Sequence, residues 1–130
     1  MKILILEDMV HRINSFKKEL QDHELHFATT IQKAIELEKE FGPFDIYYLD
    51  HDLDGKIFIS SHKENTGYQF VKYLCNNIKP LHRKSTVVIH SMNPVGAHNM
   101  YVVLKKLNMF RVRRYPFPIL FGILKRGELY

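Results

Sequence analysis

The sequence has 130 residues, 45% of them hydrophobic and 12% aromatic, so it can build one well-packed core and is predicted to form a single domain spanning residues 1–130. A lone cysteine, Cys75, excludes an internal disulfide, and no stretch approaches the roughly 20 apolar residues that a membrane-spanning helix needs. The N-terminal MKILILED is too short and too quickly acidic for a signal peptide. We therefore expect a soluble, cytoplasmic protein that does not act at a membrane.

The net charge of +5 is unevenly distributed along the chain. Residues 1–78 contain 9 Lys or Arg and 13 Asp or Glu, a net charge of −4, whereas residues 79–130 contain 10 and 1, a net charge of +9. A basic second half is typical of proteins that bind an anionic partner such as a nucleotide or RNA. A solvated basic face would have the same composition.

Apolar residues at strand or helix spacing predict five strands and five helices in alternation. The strands are predicted at residues 2–6, 24–28, 45–49, 85–89 and 110–115. The helices are predicted at residues 10–21, 31–41, 66–77, 94–107 and, as a short last helix, 119–126. Residues 80–84 are a predicted linker, and residues 56–64, which contain KIFISS, form either a small strand or an excursion. Strands alternating with amphipathic helices predict a parallel sheet covered by helices on both faces.

Polar side chains concentrate where three of the predicted strands end. Glu7 and Asp8 follow the first strand, the turn Asp50, His51, Asp52, Leu53, Asp54 and Gly55 follows the third, and His90, Ser91 and Asn93 follow the fourth. Ligands of open parallel sheets bind outside the carboxyl ends of the strands. The sequence therefore predicts one functional rim formed by three separate segments.

The acidic residues of this rim are candidate metal ligands, and they are Glu7, Asp8, Asp50 and Asp52. So many carboxylates would repel one another unless paired, and a hard divalent cation such as Mg²⁺ or Mn²⁺ resolves that repulsion. Solvated turn carboxylates are the alternative, above all for Asp54. His51 and His90 are candidates for metal binding or proton transfer, although either is also compatible with a hydrogen-bonded structural role.

Two predicted helix starts and one arginine are candidates for phosphate binding. Free backbone N–H groups at a helix start attract phosphate, and small residues permit a close approach. Ordinary helix capping and a surface arginine are the alternatives. The candidate residues are Arg12, Thr66, Ser91, Asn93, Gly96 and Ala97.

Glu7–Asp8 after the first strand and Asp50 after the third resemble the acidic pocket of the receiver domains of response regulators. In those domains the strand-three aspartate accepts phosphate and the strand-one acids bind Mg²⁺. The sequence departs from that pattern at two places. His90-Ser91 stands where receivers place Ser or Thr, and Tyr115 precedes Pro116 where they place Lys.

Three further strings are similar to the cyclic-phosphate-processing receiver domain family, a divergent branch proposed to act on cyclic phosphates. They are DHDLDG at 50–55, NTGYQFVKYL at 65–74 and HSMNPVGAHNM at 90–100. The resemblance covers nearly the whole chain and implies a receiver-like (flavodoxin-like) three-layer α/β sandwich with strand order 2-1-3-4-5. It maps the family's site onto Asp8, Asp50, His51, Asp52, His90, Ser91, Asn93 and Gly96.

Three functions remain open on this sequence. The first is a metal-dependent phosphoesterase, with Asp50, His51 and His90 catalytic, that opens a cyclic nucleotide or a 2′,3′-cyclic phosphate end of RNA. The second is a non-catalytic protein that binds or sequesters a cyclic nucleotide. The third is a divergent signalling receiver phosphorylated on Asp50, which the missing lysine disfavours.

Overall fold

The computed structural model describes residues 1–53 and 58–130, and strands and helices alternate along the chain as predicted. The strands are β1 (Lys2–Leu6), β2 (Glu24–Ala28), β3 (Ile46–Leu49), β4 (Thr86–Ile89) and β5 (Arg111–Arg114). The helices are α1 (Val10–Glu19), α2 (Ile31–Phe41), α3 (Gly67–Asn76), α4 (Pro94–Leu107) and α5 (Phe117–Lys125). None of the helices among the described residues is both long and apolar enough to cross a membrane.

The five strands form one parallel sheet in the order β2-β1-β3-β4-β5, which confirms the predicted strand order. Each strand connects to the next through a helix, because two parallel neighbours cannot be joined by a tight turn. The pairing register places Leu6, Leu49 and Ile89 side by side in the three central strands. The residues that follow these three positions therefore leave the sheet at one edge.

Helices cover both faces of the sheet because successive strand side chains point to opposite faces. Leu4, Tyr47 and Val87 contribute to the core beneath α2, α3 and α4. Their neighbours Ile5 and Tyr48 contribute to the second core, beneath α1 and α5. Both faces of the central strands are buried, and this explains why their sequences are continuous apolar runs instead of alternating ones.

The structure differs from the predicted elements in two places. The predicted linker at Pro80–Lys84 is a 3-10 helix. The last helix begins at Phe117, two residues earlier than predicted, because a proline in the first helical turn (here Pro118) loses no intrahelical hydrogen bond. Of the two alternatives for residues 56–64, the described part, residues 58–64, is an excursion of bends and turns. Asp54 and Gly55 of the predicted polar turn, and the start of the KIFISS segment at 56–57, lie outside the described residues.

A buried polar cluster joins three elements at the amino end of the sheet, opposite the rim. The Tyr47 hydroxyl lies 2.7 Å from both carboxylate oxygens of Glu38, and His82 Nε2 lies 3.0 Å from Glu38 Oε1. Burial, followed by the nearby charge of Glu38, raises the pKa of Tyr47. His82 is buried within the fold and has a structural role.

Candidate functional site

Glu7, Asp50 and His90 meet at the carboxyl edge of the sheet because β1, β3 and β4 end in register. The Asp50 amide donates to the Leu6 carbonyl at 3.1 Å, and the His90 amide donates to the Leu49 carbonyl at 3.0 Å. These two bonds continue the ladders by one residue beyond the strands. The three side chains thus leave neighbouring strands at the same level.

These three side chains form a compact buried group, here called the acid–histidine cluster. One ligand atom from each lies within 4.8 Å of the others, and all three residues are buried. His90 Nε2 lies 2.9 Å from Glu7 Oε1, whereas Glu7 Oε2 accepts hydrogen bonds from the amides of Asp8 and Met9 at 3.1 Å each. Both oxygens of the Glu7 carboxylate are therefore fixed by partners.

Arg12 lies against the acid–histidine cluster from the first turn of α1. Its Nη1 atom is 3.6 Å from Glu7 Oε1 and 3.8 Å from Asp50 Oδ2, so one cation contacts both carboxylates. The guanidinium also stacks over the Phe117 ring, 4.8 Å from its centroid. The Arg12 side chain is 14% exposed, more than the carboxylates that it faces, so it forms the outer layer of the cluster.

Burial acts on the two carboxyl groups with different outcomes. Burial alone would raise the pKa of Glu7, but the hydrogen bond and charge of His90, the Met9 amide and Arg12 outweigh it and lower that pKa. For Asp50, burial and repulsion by Glu7 outweigh His90, the His51 amide and Arg12, and they raise its pKa to about 6. Glu7 is thus the more acidic carboxyl group of the pair, and Asp50 is the one whose pKa lies nearer to neutral pH.

His90 is fully buried, as is Glu7. Its ring packs against Phe16 and Phe117, with centroid distances of 5.4 Å and 6.2 Å. Since Nε2 is bonded to the ionised Glu7, the ring is held in one orientation. Its Nδ1 atom is buried and has no hydrogen-bond partner among the described residues, so it is left to carry or accept a proton.

The acid–histidine cluster has the donors that a divalent cation requires. It contains two carboxylates and an imidazole whose ligand atoms lie within 4.8 Å of one another, and Mn²⁺ accepts both ligand types. Among residues 1–53 and 58–130 the group that meets this geometry comprises Glu7, Asp50 and His90. Of the four predicted metal ligands, the structure brings together Glu7 and Asp50. Asp8 and Asp52 are not members of this group.

Asp52 belongs to a separate set of contacts, here called the His51 network. His51 Nδ1 lies 2.7 Å from Asp52 Oδ1, and His51 Nε2 lies 2.9 Å from Ser61 Oγ. The Asn93 amide group donates to Asp52 Oδ1 at 3.1 Å and to the Ile59 carbonyl at 3.2 Å. Both ring nitrogens of His51 are occupied, and the network attaches residues 59–61 to the start of α4.

The predicted phosphate-binding residues at the helix starts already have partners within the chain. The Asn93 side chain accepts from the Gly96 amide at 3.0 Å, and the Ser91 hydroxyl accepts from the Asn93 amide at 3.0 Å. The Ala97 amide donates to the Asn93 carbonyl, and the buried Thr66 hydroxyl donates to the Lys63 carbonyl at 3.1 Å. Capping and loop contacts therefore account for these four residues in the structure.

Gly96 has a packing role that the sequence did not indicate. A Cβ atom at this position would lie 2.4 Å from Cγ of the His51 ring. Gly67 is similar, because a Cβ there would lie 1.9 Å from the Asp50 carbonyl oxygen. The two glycines let α4 and α3 approach the segment that follows β3, which fixes where Asp50 and His51 point.

Sequence reasoning missed Phe117 and Ser61. Phe117 lies under the Arg12 guanidinium and beside His90, and Ser61 bonds to both His51 and the Asn99 side chain, the latter at 3.0 Å. Neither residue belongs to a motif, since each contact joins segments far apart in the chain. The strand assignment alone offered no signal for either.

The comparisons with known proteins agree with this fold. Residues 2–106 match the family described as cyclic-phosphate processing receiver domain, and the chain belongs to that family. A comparison with curated protein sequences finds no significant match.

Solved receiver domains have the same fold at low sequence identity. The Mn²⁺-bound form of response regulator Rcp1 superposes with a TM-score of 0.66 at 18% identity, covering 97% of this chain and 91% of that one. A CheY-like receiver domain from Methylobacillus flagellatus gives 0.60 at 18% identity, with 97% of each chain covered. The receiver domain of NtrX from Brucella abortus gives 0.60 at 19% identity, covering 98% of this chain and 97% of that one.

Proposed function

We propose that this protein is a metal-dependent phosphoesterase that opens a cyclic phosphate, either in a cyclic nucleotide or at a 2′,3′-cyclic phosphate end of RNA. The observation that carries the proposal is the acid–histidine cluster with Arg12 against it. Two buried carboxylates, one buried imidazole and one guanidinium converge at the edge where open parallel sheets bind their ligands. A purely structural ion pair would not require an imidazole nitrogen without a partner.

Mg²⁺ or Mn²⁺ is the cofactor that we propose, held by Glu7 and Asp50, with Asp8 beside them as a further candidate. Support comes from the donor set and from the Mn²⁺-bound form of the receiver-fold protein Rcp1. When bound, such an ion polarises a phosphoryl oxygen and lowers the pKa of a coordinated water. The ion would also offset the repulsion between the carboxylates that raises the pKa of Asp50.

The chain's own residues have separate roles in this proposal. Arg12 neutralises the phosphate oxygens, because it is the outermost charged group of the cluster and its planar fork matches a phosphate. Glu7 orients His90 by accepting from Nε2, which leaves Nδ1 as the atom that takes or releases the proton. Since the His90 ring is fully buried and packs against Phe16 and Phe117, a substrate reaches Nδ1 only when side chains around the ring move.

The His51 network supports the site from one side. With both ring nitrogens occupied, His51 positions residues 59–61 against α4, and in this proposal it acts through that placement. Ser91, Asn93, Gly96, Ala97 and Thr66 shape the neighbouring backbone through their caps. Their direct contact with phosphate remains a prediction.

Binding without catalysis is the second candidate, and the burial of His90 favours it. A histidine with 0% exposure that is already bonded to Glu7 can serve as the structural centre of an anion pocket. A signalling receiver phosphorylated on Asp50 is the third candidate, and the receiver fold favours it. Tyr115 packs against the core where ordinary receivers have their lysine, so we expect no stable Mg²⁺-dependent phosphoaspartate after treatment with acetyl phosphate.

The experiment that separates these candidates is incubation with a panel of cyclic nucleotides and cyclic-phosphate RNA ends, with and without Mg²⁺ and Mn²⁺. We expect at least one ligand to be opened in a metal-dependent reaction. His90→Ala should reduce turnover by about 10²–10⁴-fold with ligand affinity within a few-fold, because a proton-transfer group contributes that much to rate. Asp50→Asn should weaken both metal binding and turnover.

Asp22→Asn is the matched control for Asp50→Asn, since Asp22 is an exposed carboxylate at the opposite end of the sheet. It should leave turnover unchanged. Recovery of every ligand intact after long incubation of the wild type with either metal would contradict the phosphoesterase and favour the binder. A robust phosphoaspartate at Asp50 would favour the signalling receiver.

A further inference from the structure

The second half of the chain presents its positive charge entirely on the surface. All ten of its lysines and arginines are exposed, namely Lys79, Arg83, Lys84, Lys105, Lys106, Arg111, Arg113, Arg114, Lys125 and Arg126. Within the described residues the ion pair that involves any of them is Arg126–Glu128. The remaining cations are available to an anionic partner.

Three of these cations lie on β5, here called the β5 arginine row: Arg111, Arg113 and Arg114. Because strand side chains alternate, Arg111 and Arg113 project from one face of the sheet and Arg114 from the other, so the row flanks the strand on both sides. β5 is an edge strand of the sheet and contributes one buried residue, Val112. At about 3.3 Å per residue the row extends for roughly 10 Å along the edge. Lys105 and Lys106, in the last turn of α4, precede it in the chain and are also exposed.

The carboxyl end of the β5 arginine row lies beside the carboxyl end of β4, the strand that His90 follows. Arg114 is paired with Ile89, the residue before His90, and its guanidinium donates to the Pro94 carbonyl at the start of α4 at 3.0 Å. Arg114 and Ser91 line the same recess of about 120 Å³. Because parallel neighbours lie about 4.8 Å apart, the row begins one strand away from His90, whereas Asp50 and Glu7 follow the more distant strands β3 and β1.

Protection of an exposed sheet edge is a general reason for charged residues on an edge strand. Edge protection requires charged side chains, but it does not require that all of them have the same sign or that they are arginines. Here the sign is uniform, the charge extends into α4, and arginine is the side chain whose fork binds phosphate oxygens in pairs. These features match a polyanion that lies along the edge.

Building on the proposed function, we infer that the ligand is a single-stranded RNA whose cyclic phosphate end enters the acid–histidine cluster while its preceding phosphates lie on the β5 arginine row. A free cyclic mononucleotide would occupy the cluster and leave the row unused. The row therefore selects the end of a strand over a mononucleotide with the same cyclic phosphate.

The test compares the affinities of two fluorescent ligands, a 2′,3′-cyclic mononucleotide and an eight-nucleotide RNA with a 2′,3′-cyclic phosphate end. Binding is measured in EDTA across a range of salt concentrations, so that it is separate from turnover. The wild type should bind the eight-nucleotide RNA at least about tenfold more tightly at low salt, with a steep salt dependence. Exchanging Arg111, Arg113 and Arg114 together for Ala should remove most of that advantage and flatten the slope of log affinity against log salt by about 2.

The matched control removes three lysines on other surfaces, Lys33, Lys39 and Lys72, all exposed on α2 and α3. It should retain the preference for the longer RNA, and circular dichroism should show that both triple variants fold. Equal affinity of the wild type for the two ligands, or an unchanged preference in the arginine variant, would overturn the inference. Metal-dependent opening of the mononucleotide would still support the proposed function in that case.

Two further outcomes distinguish RNA binding by the row from catalysis and from binding to an anionic membrane. A length preference that depends on the row, without turnover of either ligand, would support the RNA surface and contradict the phosphoesterase. Row-dependent binding to vesicles containing anionic lipid, without binding to the eight-nucleotide RNA, would overturn the inference in favour of a membrane surface.

Discussion

At the scale of single residues, the carboxylates of the candidate site are fixed by contacts within the chain. Glu7 is held by two amides, His90 and Arg12, so its carboxylate has one orientation. Asp50 accepts a hydrogen bond from the His51 amide at 2.7 Å. Burial nevertheless raises the pKa of Asp50 to about 6, so its ionised form is less favoured in the folded protein than that of an exposed aspartate. Holding the ionised Asp50 carboxylate in this buried position lowers the free energy of unfolding, and the loss can be measured.

Asp50→Asn should stabilise the protein at neutral pH. The raised pKa means that the folded state binds more protons than the unfolded state between the ordinary value of 3.8 and about 6, so stability falls as the pH rises through that window. Asparagine keeps the shape without the charge. In EDTA we expect a gain of about 1–3 kcal/mol in unfolding free energy at neutral pH, disappearing toward pH 4, measured by urea denaturation.

The exposed Asp22→Asn should show no comparable pH-dependent gain. Equal stability of wild type and Asp50→Asn across the whole pH range would contradict the raised pKa. Reduced stability of the variant at neutral pH would show that the Asp50 charge is net favourable in the fold.

Gly96→Ala tests the packing of α4 on His51. The new Cβ atom would lie 2.4 Å from His51 Cγ, where neither the ring nor the helix backbone can yield easily. We expect destabilisation of about 1–3 kcal/mol, the usual cost of overpacking, measured by thermal and urea unfolding.

Gly122→Ala is the matched control in α5, since its Cβ would meet its nearest neighbour, a nitrogen of Arg126, at 3.9 Å. Alanine is the better helix former, so this variant should be unchanged or up to about 1 kcal/mol more stable. A neutral Gly96→Ala would show that His51 can be displaced without cost.

At the scale of elements, the segment after β3 is fixed by its contacts with the starts of α3 and α4. Asp52 pairs with Thr66 in an isolated antiparallel bridge, and Asn93 contacts both Asp52 and Ile59. One capping residue thus holds α4 and the loop together. This coupling distinguishes Asn93 from an ordinary N-cap.

Asn93→Ala should therefore destabilise the loop at residues 58–64 as well as the start of α4. Loss of the cap costs about 1 kcal/mol, and loss of the contacts to Asp52 and Ile59 should raise amide hydrogen exchange in residues 58–64. Thr30→Ala is the matched control, because the Thr30 side chain caps α2 by accepting from the Lys33 amide at 3.1 Å. It should cost a similar free energy without altering exchange in residues 58–64. Equal exchange in the two variants would contradict the coupling.

At the scale of the whole molecule, two cores share one sheet. β1, β3 and β4 each contribute side chains to both, for example Leu4 and Ile5 from β1. Unfolding of either layer of helices would expose one apolar face of these strands to water. The functional rim and the β5 arginine row are built on this common support.

We therefore expect the chain to unfold in one cooperative transition, as predicted for a single domain. Far-ultraviolet circular dichroism and tyrosine fluorescence should give coincident urea curves, since 7 tyrosines are present and no tryptophan. Tyr47 reports on one core and Tyr48 on the other. Two resolved transitions would contradict a single domain.

The fold follows from local patterns in the sequence. Apolar runs such as KILIL and helix starts such as Asn93-Pro94 specify their own secondary structure, because side-chain periodicity and capping act over a few residues. The alternation of strand and helix then leaves a parallel sheet as the consistent arrangement. The types of side chain at the rim were also predictable from the sequence, because listing them requires only the positions at which the strands end.

The tertiary structure alone decided which rim residues meet. Glu7 and His90 are 83 positions apart and pair because β1, β3 and β4 end in register. Glu7, and not its neighbour Asp8, joins the acid–histidine cluster, whereas Asp52 is held by His51 and Asn93. Sequence supplies the types of side chain at a strand end, but their direction depends on strand register and on the helices packed against them, which no local pattern encodes.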